Sequence, residues 1–148
     1  MKEKFVKAYM NVAERFAQLS SAKRLQVGAI VVKDDRIISI GYNGMPTGWD
    51  NTCEEEVLVD YGNRVSDAKY ELKSKPEVLH AESNAIAKLA RSSESGEGAS
   101  IFITHAPCID CAKLIYQSGI AAVYYKTEYR STQGIDFLHR SDVQVVKV

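Results

Sequence analysis

With 148 residues, 45% of them hydrophobic, the chain is long enough for one domain with a real core and too short for two of ordinary size. Its 19 Lys and Arg balance 19 Asp and Glu, so no excess positive charge is available to neutralise a polyphosphate backbone; a long nucleic-acid partner is disfavoured and a single nucleotide is not. The longest apolar runs are strand-sized and residues 1–18 are amphipathic and charged, so neither a membrane span nor a secretory signal is expected, and three cysteines, two of them spaced C-x-x-C, suit metal or redox chemistry in a soluble cytoplasmic protein better than disulfides.

In chain order, Phe5, Tyr9, Val12, Ala13 and Phe16 fall on one stripe at helical spacing and predict an amphipathic first helix. Two β-branched runs, Val27 to Lys33 and Arg36 to Ile40, flank Asp34-Asp35 and predict a hairpin. Gly41 to Gly48 holds three glycines and a proline and reads as a tight, irregular turn. From Trp49 to Pro76 the chain is polar, with little sustained periodicity, and reads as a long loop with a short helix; the adjacent Glu54, Glu55 and Glu56 read as a solvated face.

From His80 the pattern turns helical, with Ala85, Ile86, Leu89 and Ala90 on one face. A strand over Ser100 to Thr104 follows, then a helix opened by Pro107, with Ala112, Leu114 and Ile115 as its apolar positions and Gly119 as its stop. A strand over Ala121 to Tyr125, a short helix over Thr132 to His139 and a strand over Val143 to Val148 complete the chain. A hairpin followed by alternating helices and strands predicts an α/β fold, a mixed sheet with parallel crossovers and helices on both faces.

The chemistry concentrates in His80-Ala81-Glu82 and Pro107-Cys108-Ile109-Asp110-Cys111. Two cysteines three apart in the first turn of a helix point their sulfurs the same way, and the helix N-terminus favours their thiolates. His80 supplies a third ligand if its helix lies beside theirs, and three protein ligands leave a position for water, which separates a catalytic zinc from a closed structural one. Glu82 is then a carboxylate placed to move protons. A redox C-x-x-C pair and a structural zinc closed by a fourth ligand are the competing readings, with Cys53, His105 and His139 the remaining ligand candidates; His105, three residues before Cys108, is the one that could replace His80.

His-x-Glu followed by Pro-Cys-x-x-Cys is the signature of the zinc-dependent nucleobase deaminases. With Gln26 to Val32, Gly41 to Gly48, His80 to Ile86, Pro107 to Lys113 and Gln117-Ser118-Gly119-Ile120, the chain resembles the deoxycytidylate (dCMP) deaminase branch of the cytidine/deoxycytidylate deaminase superfamily along nearly its whole length. The resemblance implies the cytidine-deaminase-like three-layer sandwich, a five-stranded mixed sheet between helices, and hydrolysis of dCMP to dUMP with release of ammonia. It implies one catalytic Zn2+ per chain on His80, Cys108 and Cys111, with Glu82 as the catalytic proton shuttle. It further implies Asn43 near the sugar, backbone groups of Ala81, Thr104, Ala106 and Pro107 reading the base, and Arg24, Lys23, Tyr129 and Arg130 near the phosphate. Assembly is expected to be a homohexamer, activated by dCTP with Mg2+ and inhibited by dTTP beside Gly41, Tyr42, Gly44 and Gly48. Where some relatives carry cysteines for a second zinc, this chain has Ser20-Ser21, which leaves Cys53 without partners. A tRNA adenosine deaminase of the same superfamily and a non-catalytic zinc-stabilised binding module are the alternatives.

Overall fold

The computed structural model describes residues 1–148. Helix α1 (Glu3–Ala17) leads into the hairpin β1 (Gly28–Lys33) and β2 (Arg36–Tyr42). Asp34 and Asp35 turn it with φ of 51° and 58°, the left-handed pair that a two-residue hairpin requires and that Asp tolerates. A second hairpin, β3 (Glu54–Asp60) and β4 (Lys69–Ser74), precedes α2 (Ala81–Ala90), β5 (Ser100–His105), α3 (Ile109–Gln117), β6 (Ala122–Thr127), α4 (Gln133–Arg140) and β7 (Gln144–Lys147).

Five strands form one sheet in the order β2-β1-β5-β6-β7. β1 pairs antiparallel with both β2 and β5, whereas β5, β6 and β7 run parallel through the crossovers α3 and α4. The period-2 alternation of the central strands builds a core on each face. Ile30, Val32, Phe102 and Tyr124 meet α1 through Met10 and Ala13. Ala29, Val31, Ile101, Ile103 and Val123 meet α2, α3 and α4 through Ala85, Leu89, Ala112, Ile115 and Leu138. Phe102 stacks on Tyr124 at 4.6 Å between centroids and is fully buried, so its side chain alone contributes about 1.5–3 kcal/mol of burial. The three layers match the architecture expected from the sequence; three stripe residues do not, since Phe5, Ala90 and Leu114 are exposed, while Met10 and Ala17 take buried positions of α1.

The segment from Trp49 to Pro76 departs from the expected loop. It folds into the β3–β4 arm, a two-stranded sheet separate from the main one, with a 3-10 turn at Val65–Asp67. β4 alternates Tyr70 and Leu72 with Glu71 and Lys73, but none of its six residues is buried, so the pattern has no apolar contrast with a core and reads as polar loop. Of the three glutamates, Glu55 and Glu56 are exposed as expected and Glu54 is buried, because it lies at the base of the arm against residues 23–24.

Candidate metal and nucleotide site

Two helices begin side by side at the same edge of the sheet. His80 caps α2 and Cys108 caps α3, each with extended backbone (ψ 154° and 168°), so each side chain leaves its helix at the first turn. α2 reaches this position because Gly41 lets it: a Cβ at Gly41 would stand 2.2 Å from the carbonyl oxygen of Ala81. Further bonds tie α2 to β2, from Ser39 Oγ to the Ala85 carbonyl at 2.7 Å and from Asn84 Nδ2 to the Tyr42 carbonyl at 3.1 Å. On the other side, α4 presses on the corner carrying the first cysteine. A Cβ at Gly134 would lie 2.1 Å from the Pro107 carbonyl oxygen, so only glycine permits this contact.

The Nδ1 atom of His80 lies 3.5 Å from Cys108 Sγ and 3.4 Å from Cys111 Sγ, and all three ligand atoms fall within 4.8 Å of one another. Tetrahedral zinc with ordinary Zn–N and Zn–S bonds separates a nitrogen from a sulfur by roughly 3.5 Å, so the donor set and its spacing fit that ion. Cys108 is held below the usual thiol range, at about 4, by the hydrogen bond from Cys111 and by His80; the same contact with Cys108 raises Cys111, and Cys108 in turn raises His80. Two thiols, one of them held well below its usual range, beside an imidazole form a donor set that gives up its protons to a metal cation. Glu82 is 5% exposed on the first turn of α2, and burial pushes its carboxyl up to about 7.

This cluster opens into a cavity of about 740 Å³, lined by His80, Ala81, Glu82 and Cys108 at one end, by Asn43, Val27, His105 and Ala106, and by Arg24, Tyr129 and Arg130. Among the residues singled out from sequence, Arg24, Asn43, Ala81, Ala106, Tyr129 and Arg130 therefore meet around one space. Lys23, Thr104 and Pro107 do not line it. The amide of Asn43 is committed to the loop before β1: Oδ1 accepts from Val27 N–H at 2.9 Å and Nδ2 donates to the Leu25 carbonyl at 2.8 Å. Gly41 is buried under α2, Gly44 pairs with Leu79, and Gly48 turns the chain with φ 86°. Cys53 is buried away from the cluster, its thiol donating to the Asn51 carbonyl, and His139 is exposed on α4, so neither closes the metal site. Ser20 has a structural task, its hydroxyl donating to the Asn43 carbonyl at 2.7 Å.

The arm adds a wall that sequence reading did not anticipate. Glu54, Lys73 and Lys75 line the cavity, and Glu54 Oε1 accepts from the backbone N–H groups of Lys23 (2.7 Å) and Arg24 (3.2 Å), fixing the corner from which Arg24 projects. The alternation of Tyr70 and Leu72 with charged residues in β4 and the apolar run Val57 to Val59 in β3 were the available signals for the arm; nothing local marked Glu54 as buried.

The family model for the zinc-binding region of cytidine and deoxycytidylate deaminases matches residues 3–127. Human deoxycytidylate deaminase is 40% identical over 121 residues, covering 81% of this chain and 63% of the human protein. ComE operon protein 2 of Bacillus subtilis is 36% identical over 125 residues, covering 83% of this chain and 59% of that protein. The chain thus spans about three fifths of the length of these two relatives. The crystal structure of the dCMP deaminase of cyanophage S-TIM5 in complex with dCMP and dUMP is 46% identical, with a TM-score of 0.86 over 100% of this chain and 99% of that one.

Proposed function

Because the chain belongs to the cytidine and deoxycytidylate deaminase family, we propose that it catalyses the zinc-dependent hydrolysis of dCMP to dUMP and ammonia. The observation that carries the proposal is the buried Glu82 beside the His80, Cys108 and Cys111 triad, at one end of a cavity whose other walls bring Arg24 and Arg130.

Zinc held by these three residues supplies Lewis-acid activation of water at neutral pH. Water oxygen adds to C4 of the cytosine ring, and Glu82 takes a proton from the water and passes it to ring N3. A second proton reaches the exocyclic amine through the same carboxyl, the C4–N bond breaks, ammonia leaves and C4 retains the oxygen as the carbonyl of dUMP. A carboxyl whose burial places it at about 7 is suited to both directions of transfer. In this reading Ala81 and Ala106 contact the base, Asn43, which braces the loop before β1, lies near the sugar, and Arg24, Tyr129 and Arg130 take the phosphate; all six line the one cavity.

Family membership also supports a homohexamer regulated by dCTP with Mg2+ and by dTTP beside residues 41–48. Trp49, 56% exposed just after that loop, gives it apolar surface for a subunit contact. No helix is long and apolar enough to cross a membrane, and three unpaired cysteines support a cytoplasmic setting. Ammonia release from dCMP, deoxycytidine, dCTP and an adenosine-containing RNA tests the proposal: dCMP is expected to be the best substrate, and preferential release from the RNA would assign the chain to tRNA editing instead.

A further inference from the structure

His105 ends the central strand β5 and lines the cavity, yet the triad and Glu82 leave it without a task. Its Nδ1 lies 2.9 Å from Thr104 Oγ1. That hydroxyl is nearly buried and already accepts from the Gly28 backbone N–H at 3.1 Å. Counting protons decides the direction of the His105 contact. If Nδ1 carried the hydrogen, Thr104 Oγ1 would accept twice and its own proton would lack any acceptor in a place closed to water. The hydroxyl therefore donates to Nδ1, and the ring's hydrogen is on Nε2. Burial lowers the imidazole's proton affinity and agrees with a neutral ring. Nε2 makes no hydrogen bond to the protein.

The place of this free donor follows from the sheet. β5 lies between β1 and β6, so the loop entering β1, which carries Arg24, and the loop leaving β6, which carries Arg130, flank its end. His105 is paired in register with Thr127, three residues before Arg130. It stands between the two arginine-bearing loops, at the end of β5.

We infer that His105 is a specificity-determining residue, its Nε2–H donating to an oxygen of the nucleotide's 5′-phosphate, with Thr104 and the Gly28 N–H fixing the tautomer that makes this possible. The inference rests on the nucleotide-deaminase reading above. The experiment has two arms. Long-range 1H–15N correlation spectra of zinc-loaded protein labelled at histidine are expected to show His105 as the neutral Nε2–H tautomer at pH 7; an Nδ1–H ring or an imidazolium would overturn the assignment. Steady-state kinetics and calorimetric dUMP binding then compare wild type with His105→Ala and His105→Gln, whose amide nitrogen replaces the donor. Loss of one hydrogen bond predicts a KM for dCMP and a Kd for dUMP raised ~10-fold in His105→Ala, kcat within ~2-fold, most of the loss recovered in His105→Gln, deoxycytidine constants unchanged and zinc content intact. Equal losses on dCMP and deoxycytidine, loss of zinc, or an unaltered His105→Ala would each overturn it. Wild type that deaminates deoxycytidine as well as dCMP would sink the deaminase reading's choice of substrate, and the phosphate contact with it.

Discussion

Glu82 stands two residues after His80 and shares its helix turn, so a single helix start carries both the proposed metal ligand and the proposed proton carrier into the cavity. Glu82→Gln keeps the shape and removes the titrating group; it is expected to retain zinc and thermal stability while losing at least ~10²-fold in turnover, measured as dUMP formed. The cysteines separate in the opposite way. Cys108→Ser is expected to lose zinc by metal analysis and to lower Tm, since ligand binding is coupled to folding, whereas Cys53→Ser keeps one zinc per chain. His80, Glu82, Cys108 and Cys111 were legible as candidates because contiguous motifs set their spacing: an i, i+2 pair and an i, i+3 pair, each at a helix start. His105 was legible only as a competing ligand. Its hydrogen-bond partners meet through the pairing of β1 with β5, between residues 76 positions apart, and no local pattern carries that.

Helices and strands of the main sheet were readable for a similar reason, since Val31, Ile101 and Val123 alternate against a core and Ala85 and Leu89 recur at helical spacing over it. The β3–β4 arm was not, because a hairpin without a core beneath it leaves mixed apolar and charged residues on both faces. Glu54 is the consequence. Removing its carboxylate in Glu54→Ala strands two backbone N–H groups and is expected to destabilise by about 1–3 kcal/mol in urea unfolding and to raise the KM for dCMP, while Glu54→Gln, which retains the acceptor oxygen, stays near wild type. Helix α4 offers a second check. Gly134→Ala forces a methyl group into the Pro107 carbonyl, so a loss of about 1–3 kcal/mol in stability, with weaker zinc retention against a chelator, is expected.

At the scale of the molecule, a chain of zero formal net charge sets Arg24, Arg130, Lys73 and Lys75 together with Glu54, Glu82 and Glu128 around one cavity, a mixed lining with cations enough for a single phosphate and poorly suited to a long polyanion. The order β2-β1-β5-β6-β7 produces this concentration. Residues far apart in sequence reach the cavity from the loops and helix starts at one end of adjacent strands, and the arm supplies the remaining wall. The most direct test is dUMP formation from dCMP by protein of measured zinc content, before and after chelation and after zinc is restored. Activity is predicted to rise in proportion to zinc up to one ion per chain, to vanish on chelation and to return with zinc; full activity without zinc, or no dUMP at one zinc per chain, would contradict the account.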